Sequence, residues 1–217
     1  MAGSPITSDI VQLLRKSGRR RPPLLVRGDD ERAFLAGWLK EPAADRILSS
    51  ANDKDIASII RSCEKCGAAA ERKIGVGSGK NRVMIILNAP VLLTGLEKKV
   101  YRAESVELLK KMVAAMGLDF NECYVTNLVK CEISDSLIQP SGIVANCVGI
   151  LAREIDHYKP EIVLVLGDLA PLQKMIKQSK NITWHNADHP ITLLKNPELK
   201  RKAWETLKLV IARLKER

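Results

Sequence analysis

A chain of 217 residues, 46% hydrophobic and 28% charged, has room for one large core, and an aromatic share of 4% makes that core aliphatic. The formal net charge of +10 favours a polyanionic partner, nucleic acid being the commonest. No apolar run approaches the roughly 18 residues of a membrane span, and the N-terminus shows no secretion signal, so a cytoplasmic protein without a membrane partner is expected.

Residues 1–52 read as a basic N-terminal extension, partly flexible, ahead of a domain over 53–217. Arg19, Arg20, Arg21, Pro22 and Pro23 form a stiff cationic stretch that suits either a solvated tail or an arm on a phosphate backbone. Residues 30–40 place Phe34, Leu35, Trp38 and Leu39 on one side of a short helix. Ile56, Ile59 and Ile60 mark another short helix leading into Cys63. The β-branched apolar run 83–87 predicts a buried strand, and residues 103–116 predict a helix stopped by Gly117. Further strands are expected over 123–129, 161–167 and 182–187, and further helices over 141–157, 168–178 and 197–215. The glycine run 75–79 precedes a strand rather than following one, so it reads as a mobile turn and not a phosphate loop. Alternating strands and helices predict an α/β fold with a mainly parallel sheet covered on both faces.

Two constellations carry chemistry. Cys63 and Cys66 stand two residues apart, and Cys131 and Cys147 supply a second pair. Four thiolates suit zinc or an iron–sulfur cluster, and spacing alone leaves both open. The fifth cysteine, Cys123, opens an apolar strand and reads as core, and an odd count argues against a disulfide framework. The second constellation is polar. Asn88, Ala89 and Pro90 end the first strand, Asn127 ends the second, and Asp188, His189 and Pro190 follow the fourth. In parallel α/β sheets ligands bind at the carboxyl ends of strands. An Asn there can read a base edge that both donates and accepts, and a His can stabilise an anionic leaving group.

Taken in order, C-x2-C, VMIILNAP, YVTNLVKC, C-x15-C, VLVLGDLA and HPITLLKNPELKRKAWETLK resemble the iron–sulfur uracil-DNA glycosylases, often called family 4, from about Asp55 to the C-terminus. The resemblance implies a three-layer α/β/α fold around a four-stranded sheet. It implies a 4Fe-4S cluster on Cys63, Cys66, Cys131 and Cys147, with zinc as the alternative. It implies a base-excision DNA repair enzyme, a hydrolase of N-glycosyl bonds, acting on uracil or a related damaged base in DNA as a monomer at a prokaryotic nucleoid. By the same resemblance Asn127 reads the edge of a flipped-out uracil and His189 stabilises the departing uracil anion. Tyr101 stacks on the base, and Leu87, Asn88, Ala89 and Pro90 line the pocket and position water.

The first motif departs from the family. Gly-Glu-Ala-Pro-Gly becomes Leu87-Asn88-Ala89-Pro90-Val91, so the water-activating carboxylate is replaced by an amide that can orient water without acting as a base. Leu87 and Val91 in place of glycines are expected to narrow the pocket. The segment after Cys131 lacks the family's Arg- and Pro-rich loop. These departures keep open a catalytically degenerate, iron–sulfur DNA-binding member of the same fold. A zinc-stapled binding module is the reading that dispenses with the resemblance.

Overall fold

The computed structural model describes residues 56–66, 71–89, 100–132 and 140–217. The basic extension, the helix expected over 30–40, Pro90, Val91 and the segment 133–139 lie outside the described residues.

Numbered along these residues, the elements are α1 (Ile56–Arg61), β1 (Glu71–Arg72), β2 (Val83–Asn88), α2 (Arg102–Ala115), β3 (Tyr124–Asn127), β4 (Cys131–Glu132) and α3 (Pro140–Tyr158). Then come β5 (Ile162–Gly167), α4 (Gln173–Gln178), β6 (Thr183–Ala187), α5 (Pro190–Lys195) and α6 (Lys200–Lys215). Four strands pair in the order β3-β2-β5-β6, all parallel. β1 and β4 form a separate two-residue antiparallel ribbon, with Arg72 opposite Cys131.

The two inner strands explain the layering. β2 and β5 are aliphatic on both faces because both faces are covered. On one side Val83, Ile85, Leu164 and Leu166 pack with Leu109, Met112 and Val113 of α2 and with Ala203, Leu207 and Val210 of α6. On the other, Met84, Ile86, Val163 and Val165 pack with Leu151 and Ile155 of α3. Ile85 and Ile86 are completely buried, and each such side chain contributes about 1.5–3 kcal/mol. α1 closes against α3 through Ile56, Ile60 and Ile150. The arrangement is the expected three-layer α/β/α fold.

Three local expectations need correction. The second strand ends at Asn127, not at residue 129, because Lys130 turns its side chain inward to a buried carboxylate on α3. A short helix, α5, fills 190–195, started by His189 as its cap and Pro190 in its first turn. The glycine run is a fitted strap rather than a mobile turn. Val76 and Val125 exchange backbone hydrogen bonds at 2.8 Å, and Gly77, at φ +90, lies where a Cβ would meet the Cys123 carbonyl oxygen at 1.8 Å.

Candidate functional site

The parallel register brings the polar residues of the strand ends to one edge. Leu87 pairs with Asn127, Asn88 with Gly167, and Leu166 with Ala187, the residue before Asp188. Asn88 donates from Nδ2 to the Asp168 carbonyl at 2.9 Å, which leaves its Oδ1 as the group able to face a ligand. That geometry depends on Gly167, whose φ is +126 and whose Cβ, were one present, would sit 1.9 Å from the Asn88 carbonyl oxygen. Asn127 is half-buried, and its side chain makes no hydrogen bond among the described residues. An amide held at a strand end without a partner keeps a donor and an acceptor available.

His189 is the most constrained member. It is 6% exposed, and its Nδ1 accepts the backbone N–H of Ile191 at 3.2 Å. An accepting Nδ1 carries no proton, so in the neutral ring the proton sits on Nε2, which has no acceptor among the described residues. Burial, and behind it the nearby Lys73 ammonium, push the His189 pKa down to about 4. The ring is therefore a neutral donor at physiological pH.

Tyr101 stands at the N-terminal end of α2, half-buried, and its side chain caps nothing. α2 packs against α5, the helix that His189 starts. Ala89 is exposed beyond β2. The side chain of Leu87 is half-buried and packs against the core that Ile85 belongs to.

The four predicted cysteines gather. Cys63, Cys66, Cys131 and Cys147 line one pocket, together with Ile60, Arg72, Lys130 and Asn146. Burial pushes the Cys131 thiol up, neighbouring Cys66 and Cys63 push it further, and Arg72 pulls it back. Cys147 is raised to about 11, chiefly by burial, with Cys131 and Cys66 adding to the effect. Donors already point at the sulfurs: the Lys130 N–H lies 3.4 Å from Cys147 Sγ, and Asn146 Nδ2 lies 3.4 Å from Cys66 Sγ. The Arg72 guanidinium donates to the Cys63 carbonyl, bracing the loop that carries the first pair. Among the described residues no three His, Cys, Asp or Glu side chains draw together tightly enough to hold a single metal ion. Cys123 stays apart in the core, completely buried, as its place in an apolar strand predicts.

Two contributors received no role from pattern reading. Lys73 follows Arg72 on the ribbon, its N–H donates to the Lys130 carbonyl at 2.7 Å, and its charge reaches His189. Lys130 itself belongs to the motif YVTNLVKC, which flagged it without giving it a role. Among the described residues no helix is long and apolar enough to cross a membrane.

Comparison with known proteins fits this arrangement. A type-4 uracil-DNA glycosylase of Saccharolobus solfataricus is 30% identical over 116 residues, 52% of this chain and 54% of that protein. A type-4 uracil-DNA glycosylase of Archaeoglobus fulgidus is 28% identical over 119 residues, 54% of this chain and 60% of the relative. A third, from Sulfurisphaera tokodaii, is 24% identical over 175 residues, covering 70% and 80%. The chain thus spans about half to three fifths of the length of the first two relatives. The profile of the Uracil DNA glycosylase superfamily matches residues 74–208, which takes in β2 to β6 and every strand-end residue above. With more than half of its length inside that match, the chain belongs to the uracil DNA glycosylase superfamily.

Proposed function

We propose that this protein hydrolyses the N-glycosidic bond of uracil, or of a related damaged base, in DNA. The observation that carries the reading is His189, a buried neutral imidazole whose backbone contact leaves Nε2–H as a donor at the sheet edge that also bears Asn127. A base inside a duplex is out of reach, so the target nucleotide is extruded into the pocket. Asn127 pairs with the donor–acceptor edge of the uracil, and the Tyr101 ring covers its face. As the glycosidic bond breaks, negative charge grows on the uracil oxygens and the sugar becomes oxocarbenium-like. His189 donates from Nε2 to that growing charge, where a preorganised donor lowers the barrier most. Asn88 Oδ1 orients water toward the sugar; as the new C–O bond forms at the carbon that lost the base, the water's proton passes to the released uracil anion or to solvent. Catalysis then rests on leaving-group stabilisation and base extrusion. The net charge of +10 supplies the non-specific grip on phosphate.

The thiol pocket fits a 4Fe-4S cluster held by Cys63, Cys66, Cys131 and Cys147. The donor set is all sulfur, N–H groups point at two of the sulfurs, and Arg72 offsets thiolate charge. The same four sulfurs would also suit a single zinc ion, which binds thiolates at about 2.3 Å. Bound there, the cluster would act as a cross-link between the loop after α1, β4 and α3. A second reading, a non-cleaving DNA-binding member, is favoured by Asn88, whose amide cannot serve as a base. Incubating purified protein with single-stranded and duplex oligonucleotides carrying one uracil, then alkali and a sizing gel, separates the two. Cleavage at the uracil supports the glycosylase; intact strands from folded, iron-loaded protein support the binding member.

A further inference from the structure

Among the described residues, Lys130 and Glu154 form a buried ion pair that the chemistry above does not use. Lys130 is 2% exposed and Glu154 is 0% exposed, and they meet between β3 and α3. Glu154 Oε1 accepts from Tyr124 Oη at 2.8 Å and from Thr126 Oγ1 at 2.9 Å. Its Oε2 takes the Lys130 ammonium, which also donates to Thr126 Oγ1 at 2.7 Å. Three positions of one short segment are thus tied to a single carboxylate.

Stability does not account for this. A buried pair is costly to desolvate, and an apolar pair of similar volume is often equally stable or better. What such a network provides is one fixed geometry. The residues next to it say what is fixed. Asn127 directly follows Thr126, and Cys131 directly follows Lys130. Cys147 stands seven residues before Glu154 on α3, two turns away on the same face, and its sulfur receives the Lys130 N–H. Lys130 also lines the thiol pocket. We infer that the Lys130–Glu154 pair is a positioning strut that sets the base-reading Asn127 and the Cys131–Cys147 spacing together, so that a displacement of the thiol pocket is felt at the uracil site. The inference rests on the role proposed for Asn127. Lys130 and Glu154 act through their neighbours and touch no substrate.

The test replaces the network with apolar groups, Lys130→Met, Glu154→Leu, Thr126→Val and Tyr124→Phe, so that no buried hydroxyl or charge is left unpaired. The variant is expected to unfold cooperatively near the wild-type Tm. Amide hydrogen exchange over 124–132 should quicken by about tenfold or more. The single-turnover rate constant on a uracil oligonucleotide should fall about tenfold or more, while the half-saturating DNA concentration stays within about threefold. A pair that only fills the core would leave both readouts at wild-type values, and either one unchanged in a cooperatively unfolding variant overturns the inference. If the apolar set does not fold, Glu154→Gln, which keeps both hydroxyl partners, is judged by the same two readouts. If wild-type protein releases no base, the proposed function has failed and the exchange rates alone decide the strut.

Discussion

Protonating His189 should cost the protein both activity and stability, and only far below the usual histidine range. Its pKa of about 4 in the folded chain lies below the ordinary 6.5. At pH 6 an ordinary imidazole is about three quarters protonated, whereas this one is about 1% protonated. Protonation puts a hydrogen on Nδ1, which then opposes the Ile191 N–H instead of accepting it and breaks the start of α5. On the proposed mechanism the single-turnover rate of uracil release should therefore stay flat from about pH 8 to about pH 5 and fall only near pH 4. The linkage has a definite sign. The folded pKa is depressed relative to the unfolded one, so the unfolded chain binds the extra proton. Stability is complete above about pH 6.5 and is lost as pH falls toward 4, by up to roughly 3 kcal/mol. Urea unfolding at about pH 7.5 and about pH 4.5 measures it against His189→Gln, which should show a shallower loss because carboxylate effects cancel in the comparison. An acid limb near pH 6.5 in the wild-type rate, absent from His189→Gln, would refute the assignment of a buried neutral ring.

Asn127→Ala should reduce uracil release at least about a hundredfold in the same gel assay, because the base edge goes unread. Asn88→Ala should cost less, about tenfold, with half-saturation unchanged, since only water orientation is lost. Gly167→Ala should lower stability by about 2–4 kcal/mol in urea titration and slow excision as well, since its Cβ displaces the Asn88 carbonyl. Cys131→Ser should yield protein with little iron and no absorbance near 400 nm, and with a lower Tm; full iron content would remove this cysteine from the ligand set.

The layers and the parallel sheet of this fold follow from features that survive in one sequence. β2 and β5 are aliphatic runs rich in β-branched residues because both of their faces are buried, and such runs are legible without partners. The four cysteines were legible for a chemical reason: soft ligands in pairs are rare by chance, and the structure gathers all four. What stayed hidden is what only tertiary contact decides. β1 and β4 are two residues each, too short to carry a period. Lys130 resembles any surface lysine until Glu154 arrives from 24 residues away. Lys73 acquires meaning only because the ribbon sets its neighbour Arg72 against Cys131, bringing the next residue toward His189. The glycine run misled because glycine marks both mobility and close approach, and here Val76 binds β3 on both sides of the peptide.

The departures in the first motif then acquire unequal weights. Alternation along β2 puts Leu87 on the same face as Val83 and Ile85, and it packs with their core. Part of its bulk therefore lies in the layer beneath the site. The glycine that allows close backbone approach at this edge is Gly167, on the neighbouring strand, where Asn88 meets it in register. The loss that remains is the carboxylate. Asn88 is held in place by the Asp168 carbonyl, so it is a fixed acceptor and not an idle side chain. A water held by a fixed acceptor can still capture an oxocarbenium-like sugar, because that species needs a near and oriented nucleophile more than a deprotonated one. On the proposed mechanism the burden of the reaction then moves to the leaving group, and so to a neutral His189 and to Asn127.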